Sequence, residues 1–217
     1  MAQNPHVSAE PTDAVRSFIL WCNENRSPKF LGSLNAAASS ADLATLEARF
    51  AAHGVPFPRH LRALYAWHDG QDDARSDFAR LFHQGYLLPV LDTIKQADFW
   101  DQMVDDGEVD GPAWWTKGWL PITTNGSSDY YVMVDLVGSF GGPKGQILTF
   151  YHDDEDRTIR APDFDAWFET VVEGLSQGLI ALNDGEWSYD EFDTFAEARL
   201  PGYPIYKAQE RTPSATS

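Results

Sequence analysis

The sequence predicts an α+β domain, with a central, mostly antiparallel sheet packed by helices. Three observations predict it. Apolar residues recur at helical spacing before Gly70 and again after Pro162. Between them lie the strand-like runs Trp119–Thr124, Tyr130–Leu136 and Gln146–His152, parted by the turn signals Asn125-Gly126-Ser127-Ser128 and Gly138–Lys144. The chain is 43% hydrophobic and 13% aromatic, with eight Trp and thirteen Phe, which fills a core and is too apolar for a disordered chain. Its 217 residues suit one domain with an extension.

Residues 1–11 read as a flexible polar leader carrying Pro5 and Pro11. Residues 12–182 read as the domain, 183–207 as a C-terminal extension and 208–217 as a disordered tail. Thr12 N-caps a helix reaching about Asn23, with Val15, Phe18, Ile19 and Cys22 on one face. Ser39 or Ser40 caps a second helix bearing Leu43, Leu46 and Phe50, and Gly54 stops it. Pro58 suits the first turn of a third helix, which carries Leu61, Leu64, Tyr65 and His68. Gly70 falls where a left-handed C-cap belongs. Tyr86–Leu91 reads as a short strand. Asp92 or Thr93 then caps a helix holding Ile94, Ala97, Trp100, Met103 and Val104.

Tyr130–Leu136 carries large apolar groups on both faces, which marks a central strand. Thr158–Ala161 reads as a short edge strand. Pro162 opens a helix whose apolar residues are Phe164, Trp167, Phe168, Val171, Leu175 and Leu179, and Asn183-Asp184-Gly185 ends it. Tyr189–Arg199 reads as a further short helix. Leu61, Leu64, Trp100, Ile122, Val132, Val134, Ile147, Trp167, Phe168 and Val171 are expected to share the core.

The formal net charge is −17, from 33 acidic and 16 basic side chains. Nucleic-acid backbones and anionic lipid both call for a basic face, so neither is an expected partner. A basic protein is. The single cysteine, Cys22, forms no internal disulfide, and no apolar signal segment or membrane span is visible. The expected compartment is the cytoplasm.

No catalytic constellation stands out. The six histidines show no zincin spacing and have no cysteine partners, so no metal is expected. His68 reads as a helix-end residue. Gly138-Ser139-Phe140-Gly141-Gly142 lacks both the Walker lysine-serine pair and dinucleotide spacing. No Gly-x-Ser-x-Gly elbow is present, and Cys22 lies on an apolar helix face. The expectation is a protein that is not an enzyme and needs no cofactor. Two carboxylate clusters are instead candidates for partner binding. The first comprises Asp72, Asp73 and Asp77, and the second Asp153, Asp154 and Asp156. Clustered carboxylates raise the local field toward a basic surface. Adjacent Trp114 and Trp115 cannot both face one core from an extended segment, so one of them is a candidate anchor. The other reading of the pair is a cap over the core.

Several motifs in order resemble the SUKH superfamily, the family of the fungal cell-wall-assembly regulator and its bacterial relatives. They are Pro58-x-x-Leu61-x-x-Leu64-Tyr65 leading to His68-Asp69-Gly70-Gln71, then Leu87-Leu88-Pro89-Val90 before the helix with Trp100. Trp119-Leu120-Pro121-Ile122, Asn125-Gly126 to Asp135, Gly145-Gln146-Ile147 and the Trp167-Phe168 helix complete the series. The resemblance covers roughly residues 40–180 and implies a central sheet packed by helices. It also implies a binding role. Bacterial relatives look like immunity proteins that neutralise a cognate toxin of interbacterial competition, and many such toxins act on nucleic acids. An acidic inhibitor complements the basic surface of such a toxin. Fungal relatives look like regulatory scaffolds, which is the alternative. The family carries over no catalytic residue.

Overall fold

The computed structural model describes residues 11–71, 80–109, 114–126, 130–154 and 157–207. The expected leader and tail lie almost wholly outside them. The first helix, α1 (Asp13–Asn25), begins where Thr12 Oγ1 accepts the Val15 N–H at 3.3 Å. A four-residue helix, α2 (Pro28–Leu31), follows, with Ser27 as cap and Pro28 at its first position. Helices α3 (Ser40–Ala52), capped by Ser39, and α4 (Arg59–Trp67) follow as expected.

Gly70 does not cap α4. The helix stops at Trp67, and His68 is already extended, with φ −147° and ψ 136°. Gly70 does adopt a left-handed φ of +71°, but for another contact. The strand expected over Tyr86–Leu91 is only β1 (Tyr86–Leu87). Helix α5 (Val90–Asp105) starts directly after Pro89, which places its cap three or four residues earlier than expected. Proline's fixed φ preorganises the start, and Asp69 supplies the cap that Pro89 cannot.

The main sheet runs β1, β2 (Trp119–Thr124), β3 (Tyr130–Asp135), β4 (Gln146–Tyr151), β5 (Arg157–Ala161), β8 (Ile205–Lys207), with every pair antiparallel. Val132 faces Thr149 and Val134 faces Ile147 across the centre. Pro121 lacks a ladder N–H, yet sits inside an interior strand. A register shift between Pro121 and Thr123 accommodates it.

The C-terminal extension corrects two expectations. β5 is not an edge strand, because β8 pairs with it. The helix after Asp163, α6 (Phe164–Ser176), ends before Gly178 and not at Gly185. The Asn183-Asp184-Gly185 turn instead joins a separate hairpin, β6 (Ala181–Asn183) and β7 (Glu186–Ser188). Helix α7 (Phe192–Arg199) then leads to β8.

Both faces of the sheet are covered, which is why β2 and β3 are buried along their whole length. One face meets α1, α3, α4 and α6 in the larger core, where Phe18, Leu61, Leu64, Ile122, Val132, Val134, Ile147, Trp167, Phe168 and Val171 pack together. Trp100 departs from the expected set. It packs at the margin of a second cluster on the opposite face, with Trp115, Trp119, Tyr131, Met133, Leu148 and Phe150.

Candidate interaction surface and the motifs that build it

His68-Asp69-Gly70-Gln71 is a structural clasp. The Asp69 N–H donates to Ala36 O, and Asn35 reaches back to Asp69 O through its side chain and to Gly70 O through its backbone. His68 Nδ1 lies 2.5 Å from Asn35 O. Gln71 donates its N–H to Leu87 O, and its side-chain oxygen accepts the Leu81 N–H. Asp69 Oδ1 accepts the Val90 N–H at 2.8 Å and so caps α5. Burial pushes the Asp69 carboxyl up from its usual range, while that N–H pulls it down. Gly70 is required by space as well as by φ, since a Cβ there would sit 2.5 Å from Leu87 O. The motif ties the chain before α3 to the start of β1 and α5.

The glycine-rich turn after β3 also has an internal purpose. Asp135 is fully buried, and its carboxylate accepts N–H groups from Val137 and Gly138 at 3.0 Å and Ser139 at 2.6 Å, plus the Gln146 side-chain amide at 2.8 Å. The turn thus cradles an anion, and that anion belongs to the chain itself. Gly142 lies so close to Gln146 that a Cβ would meet its side-chain oxygen at 2.1 Å.

Among the described residues, Thr12, His60 and Glu169 form a hydroxyl–imidazole–carboxylate series. Thr12 Oγ1 is 2.6 Å from His60 Nδ1, and His60 Nε2 is 2.9 Å from Glu169 Oε1. The hydrogen bond to His60, with Arg59 beside it, holds the Glu169 carboxyl below its usual range. Thr12 is occupied as the α1 cap and His60 is 2% exposed, so the series locks α1, α4 and α6 together. The Cys22 thiol is buried, and burial pushes it up to about 12, which keeps it protonated. Among the described residues no group of three His, Cys, Asp or Glu could hold a metal ion.

The candidate partner-binding residues divide. Asp72, Asp73, Asp77 and Asp156 lie outside the described residues. Asp153 and Asp154 are exposed at the end of β4, and Asp153 also meets His152 Nε2 at 2.8 Å. Trp115 is not a surface anchor. It is 1% exposed, stacked on Trp100 and bonded through its indole N–H to Asp101 at 2.7 Å. Its partner Trp114 remains half-buried, so the pair divides between the core and its rim.

Arg157 brings the remaining candidates together. Its guanidinium donates to Trp114 O at 2.9 Å and to Asp154 O, and it lies 4.6 Å from the Phe150 ring centroid. This buried cation pins the tryptophan segment against the acidic turn, although 43 residues separate Trp114 from Arg157. The sequence reading had passed over Arg157. The available signal was strand alternation, which places it on the same buried face as Ile159.

The fold and motifs define a domain of two-face-covered antiparallel sheet and helices, stitched by the His68–Gln71 clasp. Residues 37–170 match the model of the SMI1 / KNR4 family (SUKH-1), more than half of the chain, and the chain belongs to that family. Members of this family generally bind proteins. No curated protein matches the chain. Among the described residues no helix is long and apolar enough to cross a membrane.

Proposed function

We propose that the chain is a cytoplasmic immunity protein, which binds a cognate toxin of an interbacterial competition system and occludes its active site. The observation that carries this reading is a net charge of −17 combined with an exposed carboxylate turn, Asp153-Asp154, held beside half-buried Trp114 by Arg157. A rim of carboxylates steers a basic partner inward, and an aromatic group at its edge slows the partner's escape. The protein acts by stoichiometric occlusion, without turnover and without a cofactor. The hydrogen-bonded groups at His60, Asp69 and Asp135 serve the fold in this reading.

The test is co-expression with a candidate toxin domain, sought first in the open reading frames beside this gene. Cells producing both should grow, and the two chains should elute as a one-to-one complex. The double substitution Asp153→Lys, Asp154→Lys should weaken the complex while leaving the fold intact. Continued killing and no complex would refute the reading. The resemblance to the fungal cell-wall-assembly regulators supports a second reading, a regulatory scaffold of that type. That reading predicts capture of several partners and no rescue from any one toxin.

A further inference from the structure

A basic, tyrosine-lined cleft stands out against the acidity of the chain. It lies where the C-terminal extension folds over one end of the main sheet. A cavity of about 190 Å³ is lined by Arg80, Arg160, His83, Tyr130, Tyr151 and Tyr189, with Gln84, Asn125 and Asp193 completing it. It adjoins a second cavity, where Arg80, His83 and Tyr189 meet Tyr86, Trp187 and Glu186. Tyr189, Trp187 and Asp193 lie beyond the family-matched residues 37–170, so the extension supplies one side of the cleft.

Three features fit the cleft to an anion carried on a ring. First, two guanidinium groups line one small space. Arg80 makes no ion pair among the described residues, and Arg160 has only Asp193, at 3.6 Å. The Arg160 Nε is buried without a partner. Second, His83 is 5% exposed, and neither of its ring nitrogens has a hydrogen-bond partner. Such a group has a donor and an acceptor to offer a ligand. Burial, with the charges of Arg160 and Arg80, pushes the imidazole down to about 3, so it is neutral at physiological pH. Third, aromatic faces surround these groups. The Tyr130 and Tyr151 rings meet at 4.6 Å with their planes tilted by 51°, and Tyr189 lies 5.2 Å from the His83 ring. Tyr189 is 45% exposed, so its ring remains open to a planar ligand.

We infer that this cleft binds a phosphate monoester borne on an aromatic ring, of the nucleoside monophosphate or aryl phosphate class. Two guanidinium forks can engage the three terminal oxygens of a phosphate monoester, whereas the two oxygens of a carboxylate fill one fork. Asp193 opposes the anion from the rim and gives up Arg160 when the ligand enters. The tyrosines hold the ring, and the phosphate reaches the guanidinium groups and His83.

The experiment is calorimetric titration of the full chain with adenosine monophosphate, phenyl phosphate, benzoate, inorganic phosphate and adenosine. The two phosphate esters should bind saturably, and the other three at least about tenfold more weakly. Arg80→Gln replaces an exposed side chain and should keep the wild-type melting temperature, yet weaken ester binding about tenfold. Tyr189→Ala should weaken it as well. Arg160→Gln should act as Arg80→Gln does, but Arg80 is the decisive variant because it is exposed. The inference is overturned if neither ester binds, if Arg80→Gln binds as wild type does, or if benzoate, inorganic phosphate or adenosine equals the esters.

Discussion

At the residue scale, buried polar groups carry the sharpest consequences. His83 is held neutral, its imidazole pushed down from 6.5 to about 3 by burial and by Arg160 and Arg80. The unfolded chain takes up that proton below about pH 6.5, and the folded chain only near pH 3. Stability therefore rises with pH across this window and falls on acidification, by about 1.4 kcal/mol per pH unit at most. Urea titrations at several pH values should show that slope, and His83→Leu should flatten it. An unchanged acid slope in the variant would contradict the account. Asp135 is the opposite case, a buried carboxylate fully supplied with donors. Asp135→Ala strands those donors and should cost about 3 kcal/mol or more in urea unfolding. Neither role was legible in the sequence. His83 has no partner at a fixed spacing, and Asp135 acts on a glycine-rich turn that matches no phosphate-binding pattern. Trp115 misled for a related reason. Adjacent indoles imply that the two diverge, but not which of them turns inward.

At the element scale, most helices and the three long strands were legible, because their periodicity follows from burying one face. Boundaries set by a distant partner were not. Helix α5 starts at Val90 because Asp69, 21 residues earlier in the chain, reaches its N–H. Asp69→Ala should therefore loosen the first turn of α5 and cost about 1 kcal/mol. Gly70→Ala should cost more, about 2 kcal/mol, since the added Cβ meets backbone and φ is +71°. Equal costs would mean that the clasp acts only as a cap. Strand β5 was misread as an edge because β8 lies beyond two helices and a hairpin, just after Pro201 and Pro204, where no local pattern announces it. Arg157 tests the link between elements. Arg157→Met should raise amide exchange around Trp114 and Asp154 while the core of β3 and β4 stays protected.

At the scale of the whole molecule, the order of motifs made the family legible before any contact was known, and residues 37–170 match its model. The surface was less legible. Charge is visible in a composition, but its placement depends on which loops the fold gathers. A buried arginine links the Asp153-Asp154 turn to Trp114, through Asp154 O and Trp114 O. The central claim is that this acidic surface recognises a basic toxin. The most direct measurement is the association rate with the cognate toxin at low and high salt, for wild type and for Asp153→Asn with Asp154→Asn. The account predicts fast association that slows steeply with salt, and a variant that associates more slowly with a flatter salt dependence. Association that is slow and indifferent to salt in the wild type would contradict it.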